Sequence, residues 1–183
     1  MPNNVKLAND AYILKKSLLA QSGSTIDFDN LFDTTREMYL IRLDNIEVST
    51  NLDIRLQYLD STGTVLSGSN YNHAIIEHHT GNGQSNNYGN LVTSVHILSS
   101  STDVLAGCSI YVFNPASATK KTKAILEEGV GKAVSGAHYA GYTGGFAYES
   151  TTALRGIRIT TSTGTINSMN MACFILGTED LGI

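Results

Sequence analysis

Charge is scarce in this chain. Asp, Glu, Lys and Arg make up 15% of its 183 residues, against about 25% in an ordinary soluble domain. The net charge of −4 excludes a general electrostatic attraction to nucleic acid or to a membrane surface. No run approaches the roughly 18 consecutive apolar residues of a transmembrane helix. The opening MPNNVK lacks the basic start and apolar stretch of a signal peptide, so the chain is expected to be made and kept in a cytoplasm, at least until assembly. Cysteine is also rare. Cys108 and Cys173 each sit in an apolar, strand-like run. Two distant cysteines cannot build a zinc site; they read as buried free thiols, with a disulfide between neighbouring strands as the alternative.

Catalytic motifs are missing as well. Residues 129–132, Gly-Val-Gly-Lys, superficially suggest a phosphate loop, but position 126 is Leu and Ala follows the Lys. There is no nucleophile elbow and no paired-histidine zinc motif. His73 and His79 flank Glu77, a weak metal idea that would need a third ligand such as His138; a solvated loop edge is the plainer reading. Asp27 and Asp29 lack the Gly and distal Glu of a calcium loop. The expectation is a non-enzymatic protein with no metal and no cofactor.

What is present is β alternation, with almost no helical period. In residues 38–46, Tyr39, Ile41 and Leu43 share one face while Met38, Leu40 and Arg42 share the other. In residues 52–59, Leu52, Ile54, Leu56 and Tyr58 face inward, and Asp53, Arg55 and Gln57 face water. Residues 60–63 turn the chain and 64–67 pair back. Further strands are read at 12–20, 25–28, 91–98, 108–113, 120–128 and 138–148. Residues 70–79 have no clear period, and the Gly/Asn-rich 81–89 reads as a loop. Residues 153–177 read as a hairpin turning at Ser162–Thr165. About nine or ten short strands with turn signals between them indicate an all-β, antiparallel, jelly-roll-like sandwich over residues 11–183, preceded by an arm at 1–10.

Two clusters stand out. Lys120, Lys121 and Lys123 read either as a charged edge strand that blocks sheet pairing or as a contact to an acidic neighbour. Tyr139, Tyr142 and Tyr148, interspersed with glycines, read as sandwich packing, or as a subunit interface or sugar-stacking shelf.

Three segments together resemble a family of jelly-roll virion proteins of tailed bacteriophages, found as head decoration (cement) proteins and as tail-fibre modules. They are STIDFD (24–29) followed by MYLIRLDNI (38–46); DIRLQY (53–58) with STG (61–63) and SNY (69–71); and ALRGIR (153–158) with STG (162–164) and FILG (174–177). The family's final strand often ends in an aromatic before the Gly, where this chain has Leu176. The resemblance implies a structural protein, a homotrimer on the capsid surface that clamps neighbouring copies of the major capsid protein. Strands apolar on both faces would then meet a neighbouring subunit, through Tyr111, Phe113, Met169, Met171 and Phe174. The arm, with Val5, Lys6 and Leu7, and the lysines 120, 121 and 123 would reach the shell beneath. A jelly roll that follows a short arm leaves no room for a fibre shaft, which favours the head. The alternative is a tail-fibre or receptor-binding module contacting host glycans, through the Tyr139–Tyr148 shelf or the 81–89 segment. An unrelated carbohydrate-binding sandwich is a further reading.

Overall fold

The computed structural model describes residues 12–80, 83–102, 104–132 and 139–176, and the side chain of Leu176 is outside that set. Among the described residues the chain forms twelve strands and no helix: β1 (Ile13–Gly23), β2 (Thr25–Phe28), β3 (Met38–Val48), β4 (Leu52–Asp60), β5 (Tyr71–His79), β6 (Gly83–Val92), β7 (Val95–Ser100), β8 (Ala106–Phe113), β9 (Lys123–Lys132), β10 (Tyr139–Tyr148), β11 (Leu154–Thr161) and β12 (Ile166–Leu176). They build an eight-stranded antiparallel sheet, β1-β12-β3-β8-β9-β10-β5-β6, and a four-stranded sheet, β2-β11-β4-β7. The fold is the all-β antiparallel sandwich that the alternation demands, with more strands than the nine or ten expected.

Chain winding follows from the pairing. β3 pairs with β12, β4 with β11 and β5 with β10. These nested partners alternate between the two sheets, so an antiparallel ribbon wraps around the core in the manner of a jelly roll. Alternation then decides what is buried. From the small sheet, Leu52, Ile54, Leu56, Tyr58, Ile157 and Ile159 point inward; from the large sheet, Tyr39, Ile41, Leu43, Ile110, Val112 and Leu126 meet them, all at 1% exposure or less. Each such side chain stabilises the fold by about 1.5–3 kcal/mol.

The closing segment is not a hairpin. β11 lies in the small sheet between β2 and β4, while β12 lies in the large sheet between β1 and β3. Residues 162–165 therefore arch from one sheet to the other. A second arch, between β3 and β4, runs beside it and supplies its hydrogen bonds: Ser49 N donates to Thr165 O (2.9 Å), and Thr165 N donates to Ser49 Oγ (2.9 Å). Gly164 has φ +60°, and a Cβ there would lie 2.6 Å from the Thr50 methyl and 2.8 Å from Ser49 Oγ. Glycine spares both the left-handed backbone strain and that crowding.

Other expectations also change. The Gly/Asn-rich segment is no loop: its described part is strand β6, an edge strand paired along β5 from Tyr71↔Val92 to His79↔Gly83. The strand expected over 91–98 is broken: β6 ends at Val92, just after Leu91 at φ +53°, and β7 begins at Val95. Residues 64–67 add only a bridge, Leu59↔Val65. Residues 1–10, with Val5, Lys6 and Leu7, lie outside the described residues, as does His138.

One flank of the sandwich is closed by two successive lysines on the bulged strand β1. Lys15 pairs with Asp33 and sits 5.4 Å from the Tyr39 ring centre; Lys16 donates to Asp29 O (2.6 Å) and lies 5.6 Å from the Phe28 ring centre. Burial pushes the Asp33 carboxyl up, but Lys15 and Thr35 outweigh it and hold it well below the usual carboxylate range. The two aspartates considered for calcium are paired: Asp27 takes a bidentate fork from Arg158 (2.6 and 2.8 Å), and Asp29 accepts from Arg155 (2.8 Å).

Candidate interaction surface on the outer face of the large sheet

The register of the large sheet places eight residues in one transverse row. Leu14 stands opposite Phe174, Phe174 opposite Leu40, Leu40 opposite Tyr111, and Tyr111 opposite Ile125. The row continues through Gly145 and Ala74 to Tyr88. Its inner neighbours, Ile41, Ile110, Leu126 and Ile75, are core residues, so this row lies on the outer face. It carries no charge. Leu14 is 54% exposed, Ile125 44% and Tyr88 81%, while Leu40 is covered by its aromatic neighbours to 7%.

The β1–β9 part of the row is a built cluster. Tyr12 meets Phe174 edge-on, with centroids 6.3 Å apart, and its hydroxyl is 3.3 Å from that of Tyr111. That hydroxyl contact, with burial and nearby acids, pushes the Tyr111 phenol up to about 12. A cleft of about 360 Å³ opens here between Tyr12, Leu40, Tyr111 and Phe174, bordered by Arg42, Ser109 and Glu128.

Charge flanks the row on both sides. One residue pair along, in one direction, Met38 pairs with Phe113 and Phe113 with Lys123; in the other, Arg42 pairs with Ser109 and Ser109 with Glu127. Lys123 and Glu127 are both exposed.

Of the five residues expected at an interface, Tyr111, Phe113 and Phe174 turn outward into this face. Met169 and Met171 do not: at 0% and 1% exposure they are core residues, because β12 directs residues 169, 171 and 173 between the sheets. The tyrosine shelf likewise does not exist. Tyr142 is fully buried, edge-on to His96, and Tyr148 packs against Tyr58 and Tyr71 with centroids 6.0 and 5.0 Å away. Only Tyr139 is exposed, with Lys132 over its ring. The lysine cluster is no edge strand either, since β9 runs between β8 and β10. Lys120 and Lys121 precede it and pair with Glu37 (3.0 Å) and Glu149 (2.5 Å). Cys108 and Cys173 are free and buried.

A second polar cluster bridges the sheets, and sequence reasoning saw only its His73–Glu77–His79 edge. His96 on β7 has Nε2 3.1 Å from Ser99 Oγ and 3.7 Å from Asp53 Oδ1, with Nδ1 3.6 Å from Glu77 Oε1. Glu77 also faces His79 Nε2 at 3.4 Å. The Ser–His–Glu order resembles hydrolase chemistry, but Ser99 donates to Asp53 Oδ1 (2.9 Å) and is 4% exposed. A buried hydroxyl that donates to a carboxylate rather than to the imidazole is not poised to attack. Among the described residues no group of three is placed to hold a metal ion.

No protein-family model and no curated protein matches the chain. Among solved structures it is similar to the CBM2 module of the evolved Dit of Lactobacillus casei BL23 phage J-1, at 11% identity and a TM-score of 0.27, over 86% of this chain and 70% of that one. A likeness that distant carries no argument about function.

Proposed function

We propose that this chain is a non-enzymatic structural protein of a tailed-phage virion that works by self-association and surface contact, decorating the head and bracing neighbouring subunits of the major capsid protein. The observation that carries the self-association is the uncharged row Leu14–Phe174–Leu40–Tyr111–Ile125 on the outside of a sandwich whose inside is already filled. A continuous apolar patch of this kind marks an interaction surface. The virion assignment rests on the three-segment sequence resemblance. Lys120 and Lys121 form close ion pairs within the chain, whereas Lys123, exposed on β9, makes none within 4 Å among the described residues and is the lysine of the cluster best placed to reach a partner. Multivalent assembly makes weak individual contacts sufficient for bracing.

Electron microscopy of the virion with this protein labelled tests the location. Density over the shell is expected; label confined to the tail overturns the decoration reading.

One observation favours the second reading, a tail module contacting host glycans. Tyr88 is 81% exposed on edge strand β6, with the exposed amides Gln84 and Asn86 on the same face. Glycan-array binding lost in Tyr88→Ala supports that reading.

A further inference from the structure

The outer-face row is self-complementary. We infer that two copies of the chain pack these faces together about a two-fold axis lying along the row itself, so that Lys123 of one copy meets Glu127 of the other. This deepens the self-association reading above and rests on it, with a two-fold pair in place of the homotrimer that the sequence resemblance implies.

The argument is geometric. A two-fold axis in the plane between two facing sheets, running across the strands, keeps each strand's position and reverses its direction. The row then lies on its own copy, with Tyr111 and Ile125 against their equivalents. The two flanking rows exchange places. Lys123 and Glu127 lie two residues either side of Ile125 on β9, both exposed, so the operation sets each opposite the other twice per dimer. Met38 comes over Arg42 and Phe113 over Ser109 in the same way. An axis along the strands instead sends β9 over a different strand and loses the match.

Within one chain Lys123 and Glu127 do not interact: four residues along a strand separate them by about 13 Å, and among the described residues neither joins an ion pair within 4 Å. Within the chain, Lys121 and, more weakly, Lys123 hold the Glu149 carboxyl below its usual value; isologous packing is the arrangement that sets Lys123 and Glu127 against each other. Five strands by three rows, at about 4.8 Å between strands and about 6.8 Å between alternate residues, give about 500 Å² per copy. The total of about 1,000 Å² is the size at which a specific interface begins, so the dimer is concentration-dependent and weakened by salt.

Sedimentation velocity on the full chain at low ionic strength tests this. The wild type is expected to dimerise. Lys123→Glu and Glu127→Lys, each placing like charges together twice, weaken the dimer about tenfold. The double exchange, K123E with E127K in one chain, restores it. Both positions are exposed, and circular dichroism confirms that each variant folds. A dimer indifferent to the exchanges overturns the proposed face, and a trimer overturns the two-fold axis while leaving self-association standing. A chain that stays monomeric overturns both. Virion labelling tests the location reading separately from all three outcomes.

Discussion

His96 on β7 and Asp53 on the neighbouring strand β4 share one hydroxyl: Ser99 Oγ lies 3.1 Å from His96 Nε2 and donates to Asp53 Oδ1 at 2.9 Å. Around the same imidazole stand Glu77 on β5, His73 on β5 and Arg55 on β4. Burial lowers the His96 pKa, and the two carboxylates, Asp53 and Glu77, oppose that without overcoming it.

The sign follows directly. A histidine whose folded pKa lies below its unfolded value of 6.5 binds fewer protons folded than unfolded, so stability is full above about 6.5 and declines as pH falls through it, by at most about 1.4 kcal/mol per pH unit for one group. Urea unfolding of wild type and His96→Gln from pH 7.5 to 5 checks it. The wild type loses more stability over that interval than the variant; equal losses remove His96 as the cause.

The thiols give a second outcome. Burial raises the Cys173 thiol to about 12, Lys15 opposing and Asp33 adding to it, and burial raises Cys108 further still. Reactivity follows the thiolate. Both cysteines should resist a colorimetric thiol reagent at pH 8 in the native protein and react fully in denaturant, two equivalents per chain. Loss of both equivalents in denaturant would reveal a Cys108–Cys173 disulfide in place of the two free thiols found here.

Strand positions were legible because alternation is local: Leu52, Ile54, Leu56 and Tyr58 are inward by parity alone. Partner strands were not. The turn at 162–165 has hairpin chemistry, yet its flanking strands pair with residues about a hundred positions away or more, Ile157 with Tyr58 and Phe174 with Leu40. Nothing within a dozen residues encodes that choice. β6 was missed because Gly, Asn and Ser disfavour strands intrinsically, and backbone pairing to β5 overrides the preference. Where a strand is apolar on both faces, parity cannot say which face is the core, so Met169 and Met171 were placed with Phe174. The row across eight strands is invisible until the registers are known.

Sheet packing sets the third prediction. A Cβ at Gly131 on β9 would lie 2.1 Å from Ser99 O on β7, where the small sheet packs against the large one. The obstacle is backbone and cannot rotate away. Gly131→Ala should therefore cost about 3 kcal/mol, read as a lowered urea midpoint with an unchanged slope. An effect under about 0.5 kcal/mol would mean the sheets can part there.

Met171 and Phe174 separate core from surface on one strand. Met171 is 1% exposed between the sheets, so Met171→Ala removes packed methylenes and leaves a cavity, for a loss of about 2–5 kcal/mol. Phe174 lies on the other face of β12, against Tyr12 and opposite Leu14 and Leu40. Phe174→Ala should cost the monomer about 1 kcal/mol but lower self-association strongly, because it removes an aromatic from the middle of the outward row. Paired measurements, urea midpoint and sedimentation, are expected to move in opposite proportion for the two variants. If Phe174→Ala destabilises the fold as much as Met171→Ala and leaves association unchanged, the outer row is a second core layer rather than a contact face, and the surface assignment fails with it.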